Sequence, residues 1–204
     1  MKKKVITIGR EFGSGGREIG VELAKRLDIP FYDKELLKLA SEGSGLDETF
    51  LESNEERAPG LAAPSLSRAA LSAFYQPTLS DTIFLEQSKI IRSLAAKGPC
   101  VIVGRCSDYV LRDMGSADFF ISASLAYRIQ RYRDKGLADP SESDESIEKY
   151  IREADKQRRK YYEYYTGRYW ARVENYHLCL LTDRVGIEGA VQTILTYLDH
   201  WKEA

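Results

Sequence analysis

Apolar positions along the chain fall into short blocks separated by stretches of helical period. Val5, Ile6 and Ile8 form the first block and predict a strand over residues 4–8. In residues 16–27, Ile19, Leu23, Ala24 and Leu27 share one face at helical spacing, which predicts a helix. Residues 28–33 read as a short second strand ending in Asp33, and residues 34–42 as a helix broken by Gly43 and Gly45. Pro59, Gly60 and Pro64, set among alanines and serines, predict a mobile segment over 54–67. A long amphipathic helix is expected over 81–97, with Asp81 near its cap and Gly98-Pro99 as its stop. The uninterrupted run at 100–104 has the character of a central parallel strand buried on both faces, and the runs at 118–122 and 176–182 repeat it. Helices should follow these runs at 107–112, 124–135 and 187–201.

Strands alternating with helices imply right-handed crossovers. The expected fold is therefore a single α/β domain over 1–204, three-layer α/β/α, with a five-stranded parallel sheet. The stretch 134–175 is different: a polar opening leads into a charged helix dense in Arg and Tyr, which suits an arm laid over one end of the sheet.

Charge narrows the function classes. Thirty Lys and Arg against 31 Asp and Glu leave a formal net charge of -1, so whole-chain charge gives no reason to expect a nucleic-acid or membrane partner. Cys100, Cys106 and Cys179 lack metal-type spacing, and three is the wrong count for a disulfide framework. Cys100 and Cys179 sit in apolar runs and are expected to be buried structural thiols. No apolar segment is long enough for a signal sequence or a bilayer span, so a soluble, cytoplasmic protein is expected. His177 and His200 are isolated and are assigned no chemistry.

Candidate chemistry begins at "GREFGSGGREIG", residues 9–20. Glycines between a strand and a helix let backbone N–H groups converge on an anion at the helix N-terminus. Gly13, Ser14, Gly15, Gly16, Arg17 and Glu18 are the candidate phosphate-binding residues. The lysine-bearing pattern G-x-x-x-x-G-K-[ST] is absent, and two registers remain open. In one, Gly15 is the last loop glycine, Gly16 stands in the lysine position and Arg10 in that of the first glycine. In the other, a loop one residue longer puts Arg17 in place of lysine and Glu18 in place of the magnesium-binding hydroxyl. A dinucleotide fingerprint started at Gly13 fails at Glu18. The alternative is a glycine-rich turn with no ligand.

From "ITIGREFGSGGREIGVELAKRLDIPFYDKELL" through "VIVGRCSDYVL", "ISASLAYRIQRYRD" and "IREADKQRRKYYEYYTGRYW" to "YHLCLLTDRVGIEGAVQTI", the chain resembles cytidylate-kinase-like proteins, a branch of the nucleoside monophosphate kinase group of P-loop proteins. The resemblance covers nearly the whole chain except residues 42–79, and the chain departs from true cytidylate kinases at the loop lysine. It implies a P-loop nucleotide-kinase-like fold with a helical lid at 134–175 and an acceptor-binding insertion at 42–80. The implied activity is transfer of the γ-phosphate of ATP or GTP, with Mg²⁺, to a nucleoside monophosphate such as CMP. Nucleotides would be its small-molecule partners, and a homo-oligomer is compatible. The rival reading is a nucleotide-binding regulatory protein with weak or no catalysis.

Phosphoryl transfer asks mainly for positioning and positive charge, so converging arginines matter most. Arg105 follows the buried run 100–104 and should lie at the carboxyl edge of the sheet, where open α/β sheets bind ligands. The resemblance gives it the acceptor's phosphate. Asp33 reaches the same edge and serves either the acceptor or a helix cap, and Asp108 either the acceptor or a helix start. Arg128 and Arg131 share one helix face, as do Arg152, Asp155, Arg158 and Arg159 on the next charged helix; these are lid candidates, with a solvated charged face as the alternative. Arg17, Arg158 and Arg159 are the candidate catalytic cations, with Asp155 placed to orient one of the last two, and Ser14 and Glu18 are the candidate Mg²⁺ ligands. The aromatic run 161–170 suits either base stacking or packing of its rings on the core or a second subunit.

Overall fold

Side chains on successive strand residues point to opposite faces of a sheet, and here that alternation sorts the core into two halves. In the computed structural model, residues 4–33 and 78–202 are described. Strand β1 (Ile6–Arg10) leads into helix α1 (Gly16–Leu27), then strand β2 (Phe31–Tyr32). Helix α2 (Leu79–Lys97), strand β3 (Val101–Val103), helix α3 (Ser107–Val110) and strand β4 (Ala117–Ser122) follow. Helices α4 (Leu125–Asp134) and α5 (Asp144–Thr166), a 3-10 turn (Val173–Asn175), strand β5 (Leu178–Leu181) and helix α6 (Thr182–Asp199) complete the order. Ile6, Ile8, Val101, Val103, Phe119 and Ile121 face α1 and α6, while Cys100 and Ile102 pack with Ile91 and Leu94 of α2 on the other side. The result is the expected three-layer α/β/α arrangement, with all strand pairs parallel in the order β2-β3-β1-β4-β5.

The central position of β1 matters for function. The chain runs from β1 toward one edge through β2 and β3, then crosses to the other side for β4 and β5. Crevices open at the carboxyl ends of strands where the order reverses in this way, so the glycine loop leaving β1 lies at such a point.

Several boundaries differ from the sequence reading. Strand β1 begins two residues later and ends two later, because Gly9 and Arg10 continue to pair with Phe120 and Ile121 after the apolar pattern has stopped. Helix α2 begins at Leu79 with Thr78 as its cap; Asp81 is the other half of a capping box, its Oδ2 accepting from the Thr78 N–H at 2.9 Å. Strand β5 is an edge strand, not a doubly buried one. Leu178 and Leu180 pack inward, Leu181 is exposed, and Cys179 is exposed rather than a buried thiol. An apolar run looks the same in sequence whether or not a layer covers its second face. Helix α6 starts at Thr182 and kinks at Gly186, where φ is 68° and ψ 178°. The predicted helix 34–42, the segment 54–67 and nearly all of the expected insertion 42–80 lie outside the described residues. Among the described residues no helix is long and apolar enough to cross a membrane.

Phe119, fully buried on β4 and edge-to-face with Tyr197 of α6, is the largest of the fully buried side chains. Phe119→Ala is expected to lower unfolding free energy by about 3–5 kcal/mol in a urea titration, through lost transfer energy and a residual cavity.

Candidate active site

The loop after β1 turns at Gly13 and Gly15, both with positive φ (76° and 88°), and Gly15 caps α1 in the left-handed region that glycine adopts without steric cost. Helix α1 opens at Gly16. The structure therefore favours the first register over the second: Gly16 stands where the lysine would be, and Arg17 lies one position beyond it.

Four consecutive loop carbonyls are held from outside. Ser14 Oγ donates to Glu11 O at 2.9 Å, and Arg128 Nη1 to Phe12 O at 3.3 Å. Arg131 Nε donates to Gly13 O at 3.1 Å, and Thr182 Oγ1 to Ser14 O at 2.7 Å. The Phe12 N–H donates to Asp155 Oδ1 at 2.7 Å, and the other oxygen of that carboxylate pairs with Arg128 at 2.5 Å. Arms from α4, α5 and α6 thus fix the loop's outer side. The N–H groups of Gly16, Arg17 and Glu18, first in α1, have no intrahelical acceptor, and these residues line a cleft of about 380 Å³.

That cleft is cationic. Arg10, Arg17, Arg131, Lys135 and Arg158 line it, against Glu11, Glu18 and Asp33. Arg17 Nε donates to Asp33 Oδ2 at 2.7 Å. Arg131 donates to both Glu18 oxygens at 2.9 Å, and Lys135 also contacts Glu18. A smaller cavity of about 30 Å³ adjoins at the end of β3 and is lined by Arg10, Arg105, Arg158 and Asp108, among others. Arg10 and Arg158 belong to both. Arg105 is buried; burial is the main cause that lowers its pKa to about 10, with the Arg10 and Arg158 charges adding and Tyr161 and Asp33 opposing. It stays charged at neutral pH. Gly104, Arg105 and Cys106 have φ of 79°, 58° and 54° in succession, and a left-handed arginine and cysteine cost of the order of 1–2 kcal/mol each. The strain turns the Arg105 side chain into the cavity at the strand end.

The sequence-predicted residues divide on these distances. Gly13, Gly15, Gly16, Arg17, Glu18 and Asp33 come together in the cleft with Arg131 and Arg158, and Arg105 and Asp108 adjoin it. Ser14 does not face the cleft: it is fully buried and its hydroxyl is spent on the loop itself. Arg128 is buried against Asp155, so it anchors the loop, and Asp155 orients Arg128 rather than Arg158 or Arg159. Arg152 lies on the outer face of α5, paired with Glu148 at 2.6 Å. Arg159 sits over the Trp170 ring, 5.8 Å from its centroid, outside the cleft lining. Asp108 is buried, accepts from Tyr162 Oη at 2.6 Å, and is pushed up to about 6 by burial. In the aromatic run, Tyr161 and Tyr162 pack inward with Cys106, whereas Tyr164 and Tyr169 are exposed.

Arg10, Glu11 and Phe12 line the cleft without having been singled out. Strand alternation holds the missed signal for Arg10: it follows Ile6 and Ile8 on one face at the carboxyl end of the central strand. For Mg²⁺ the fit is poor. The Ser14 hydroxyl is engaged, Glu18 is neutralised by two cations, and no group of three metal-ligating side chains occurs among the described residues.

Two expectations follow from these contacts. Asp155→Ala leaves Arg128 buried without its partner and should destabilise by about 3–5 kcal/mol, read from denaturant midpoints. Asp108 and Asp118, both raised to about 6 chiefly by burial from an ordinary 3.8, bind more protons folded than unfolded between roughly pH 4 and 6. Stability should therefore fall as pH rises through that window and level off above it. Asp108→Asn, which keeps an acceptor for Tyr162, should flatten part of the fall; an unaltered slope contradicts the assignment.

Comparison with known proteins agrees with the fold. A protein from Eubacterium ventriosum described as uncharacterized has a crystal structure that matches at 26% identity and TM-score 0.71, covering 98% of this chain and 100% of that one. Shikimate kinase from Bacteroides thetaiotaomicron matches at 16% identity and TM-score 0.56, over 97% and 99% of the two chains. A gluconokinase from Sinorhizobium meliloti matches at 14% and 0.51, over 98% of each. At those identities the last two show the fold, that of P-loop kinases. No curated protein matches. The model of the cytidylate kinase-like family matches residues 5–184, and with most of the chain covered, this protein belongs to the cytidylate kinase-like family.

Proposed function

We propose that the protein is a phosphotransferase that moves the γ-phosphate of ATP or GTP to a small acceptor carrying a phosphate, a nucleoside monophosphate such as CMP in the reading that the family description favours. The observation that carries it is the pairing of two adjoining cationic cavities at the carboxyl edge of the sheet, one against the glycine loop and one at the end of β3, with Arg10 and Arg158 common to both. The larger has room for a phosphate chain, and the smaller, at about 30 Å³, would widen to take a second phosphate as the acceptor enters.

In this reading the amides of residues 15–18 hold the donor phosphates. Arg105 holds the acceptor's phosphate, and the Arg17–Asp33 pair flanks the acceptor. An acceptor phosphate oxygen attacks the γ-phosphorus, the bond to the β–γ bridging oxygen breaks, and the nucleoside diphosphate leaves with that oxygen's negative charge. The attacking oxygen is already anionic, so positioning and charge stabilisation are the protein's task. Arg158, at the boundary of the cavities, is placed for the transferring group. Residues 134–175 act as the lid, docked on the loop through Asp155 and Phe12. Closure excludes water and directs the phosphoryl group to the acceptor. Mg²⁺ enters with the nucleotide, and no step is assigned to it.

A second reading, nucleotide binding with little turnover, draws on the contact of Glu18 with Arg131 and Lys135, which engages two cations beside the loop. A coupled assay across nucleoside monophosphates and small phosphorylated acceptors separates the two. The kinase reading predicts consumption of the Mg²⁺ complex of ATP or GTP only when the right acceptor is present. It also predicts that Arg158→Ala lowers kcat by about 100-fold or more while nucleotide affinity changes far less. Retained nucleotide binding with no turnover on any acceptor supports the second reading.

A further inference from the structure

In place of the absent lysine, we infer that Arg10, at the end of β1, is the cation that binds the phosphate chain; this rests on the kinase reading above. Three observations converge on it. First, a Cβ built at Gly16, the residue in the lysine position, would lie 2.6 Å from Arg10 Cβ and 3.2 Å from Arg10 Cγ. The stem of Arg10 thus fills the space where a side chain at position 16 would begin, and the two cannot both be present. Second, the stem carries its guanidinium across to Gly104, whose own missing Cβ would fall on that group, with Nη1, Cζ and Nη2 its three nearest atoms. Arg10 therefore occupies a seat made by the absence of two side chains, one at the start of α1 and one at the end of β3. Third, Arg10 lines both the loop cleft and the Arg105 cavity.

These observations describe an exchange. The usual loop has glycine at its first position and lysine after its last glycine; here arginine stands first and glycine follows the last. The positive charge is kept and its point of attachment moves from helix to strand. Arg17 is the weaker candidate, because its side chain is 58% exposed and lines the loop cleft alone, not the Arg105 cavity. Among the described residues, Arg10 shares its two linings with the anions Glu11, Glu18, Asp33 and Asp108 and with the like charges of Arg105 and Arg158. An entering phosphate relieves that repulsion at short range, and a guanidinium, with its fork of donors, can bridge oxygens of two phosphates where an ammonium acts as a point charge.

The test is thermal-shift and calorimetric titration with the Mg²⁺ complex of ATP and with inorganic tripolyphosphate. Arg10→Met keeps the stem and removes the charge. It should match the unliganded wild type in circular dichroism and weaken both ligands about 10- to 100-fold, as loss of a charged hydrogen-bonding partner does, and more than Arg17→Ala does. The exchange variant R10G/G16K should recover most of the affinity that R10G loses, because it restores the lysine and removes the stem in its way. Wild-type binding with undiminished affinity in Arg10→Met, a larger loss in Arg17→Ala, or no recovery in R10G/G16K overturns the assignment while leaving the kinase reading intact. If wild-type protein is stabilised by neither ligand, both fall together.

Discussion

One buried carboxylate joins the parts on which the site depends. Asp155 of α5 accepts from the backbone of Phe12 in the glycine loop and from Arg128 of α4, so three segments far apart in sequence meet at one charged group. A buried carboxylate is stable only when its oxygens are satisfied, and here loop and arm satisfy it together. The loop's carbonyls are drawn outward by the same neighbourhood, through Arg128, Arg131 and Thr182. The amides of Glu11, Phe12 and Ser14 are engaged as well, so the amides at the start of α1 are the ones left for the cleft. The shape of this turn is thus set by the arm and sheet around it as much as by its glycines.

The second constraint is the sheet order. With β1 central and crossovers to both sides, the loop after β1 and the turn after β3 open at the same edge. Three successive left-handed residues, Gly104 to Cys106, then aim a buried arginine beside the loop. Arginines from strand, turn and arm converge there. That concentration of guanidinium groups is the link between the packing and the proposed chemistry.

How much of this could be read from the sequence depended on the range of the interaction concerned. Helix α1 appeared with its observed limits because apolar period and glycine breaks are local signals. The parallel three-layer fold followed from alternation alone. The edge position of β5 did not, since exposure of Cys179 and Leu181 depends on which layer covers the strand. Within the candidate site, the positions of the loop glycines and Arg105 at the carboxyl edge of the sheet were legible from their places after strands. Arg128, Arg152 and Arg159 look alike in sequence, yet one is an internal anchor, one faces outward beside Glu148, and one lies over Trp170. A helix face gives spacing, but the partner that turns each guanidinium comes from elsewhere in the chain. Arg10 was passed over because the loop pattern treats its position as glycine; strand alternation gave the face it lies on, and the close approach of α1 and β3 shows the side chain laid between them.

The most direct test of the whole account is the structure of this protein crystallised with a nonhydrolysable ATP analogue and Mg²⁺. The account predicts the phosphate chain within hydrogen-bonding distance, about 3 Å, of the amides at the start of α1, with guanidinium groups from β1 and α5 on its other side. A nucleotide seated elsewhere, or phosphates reaching the loop through side chains with those amides turned away, would contradict it.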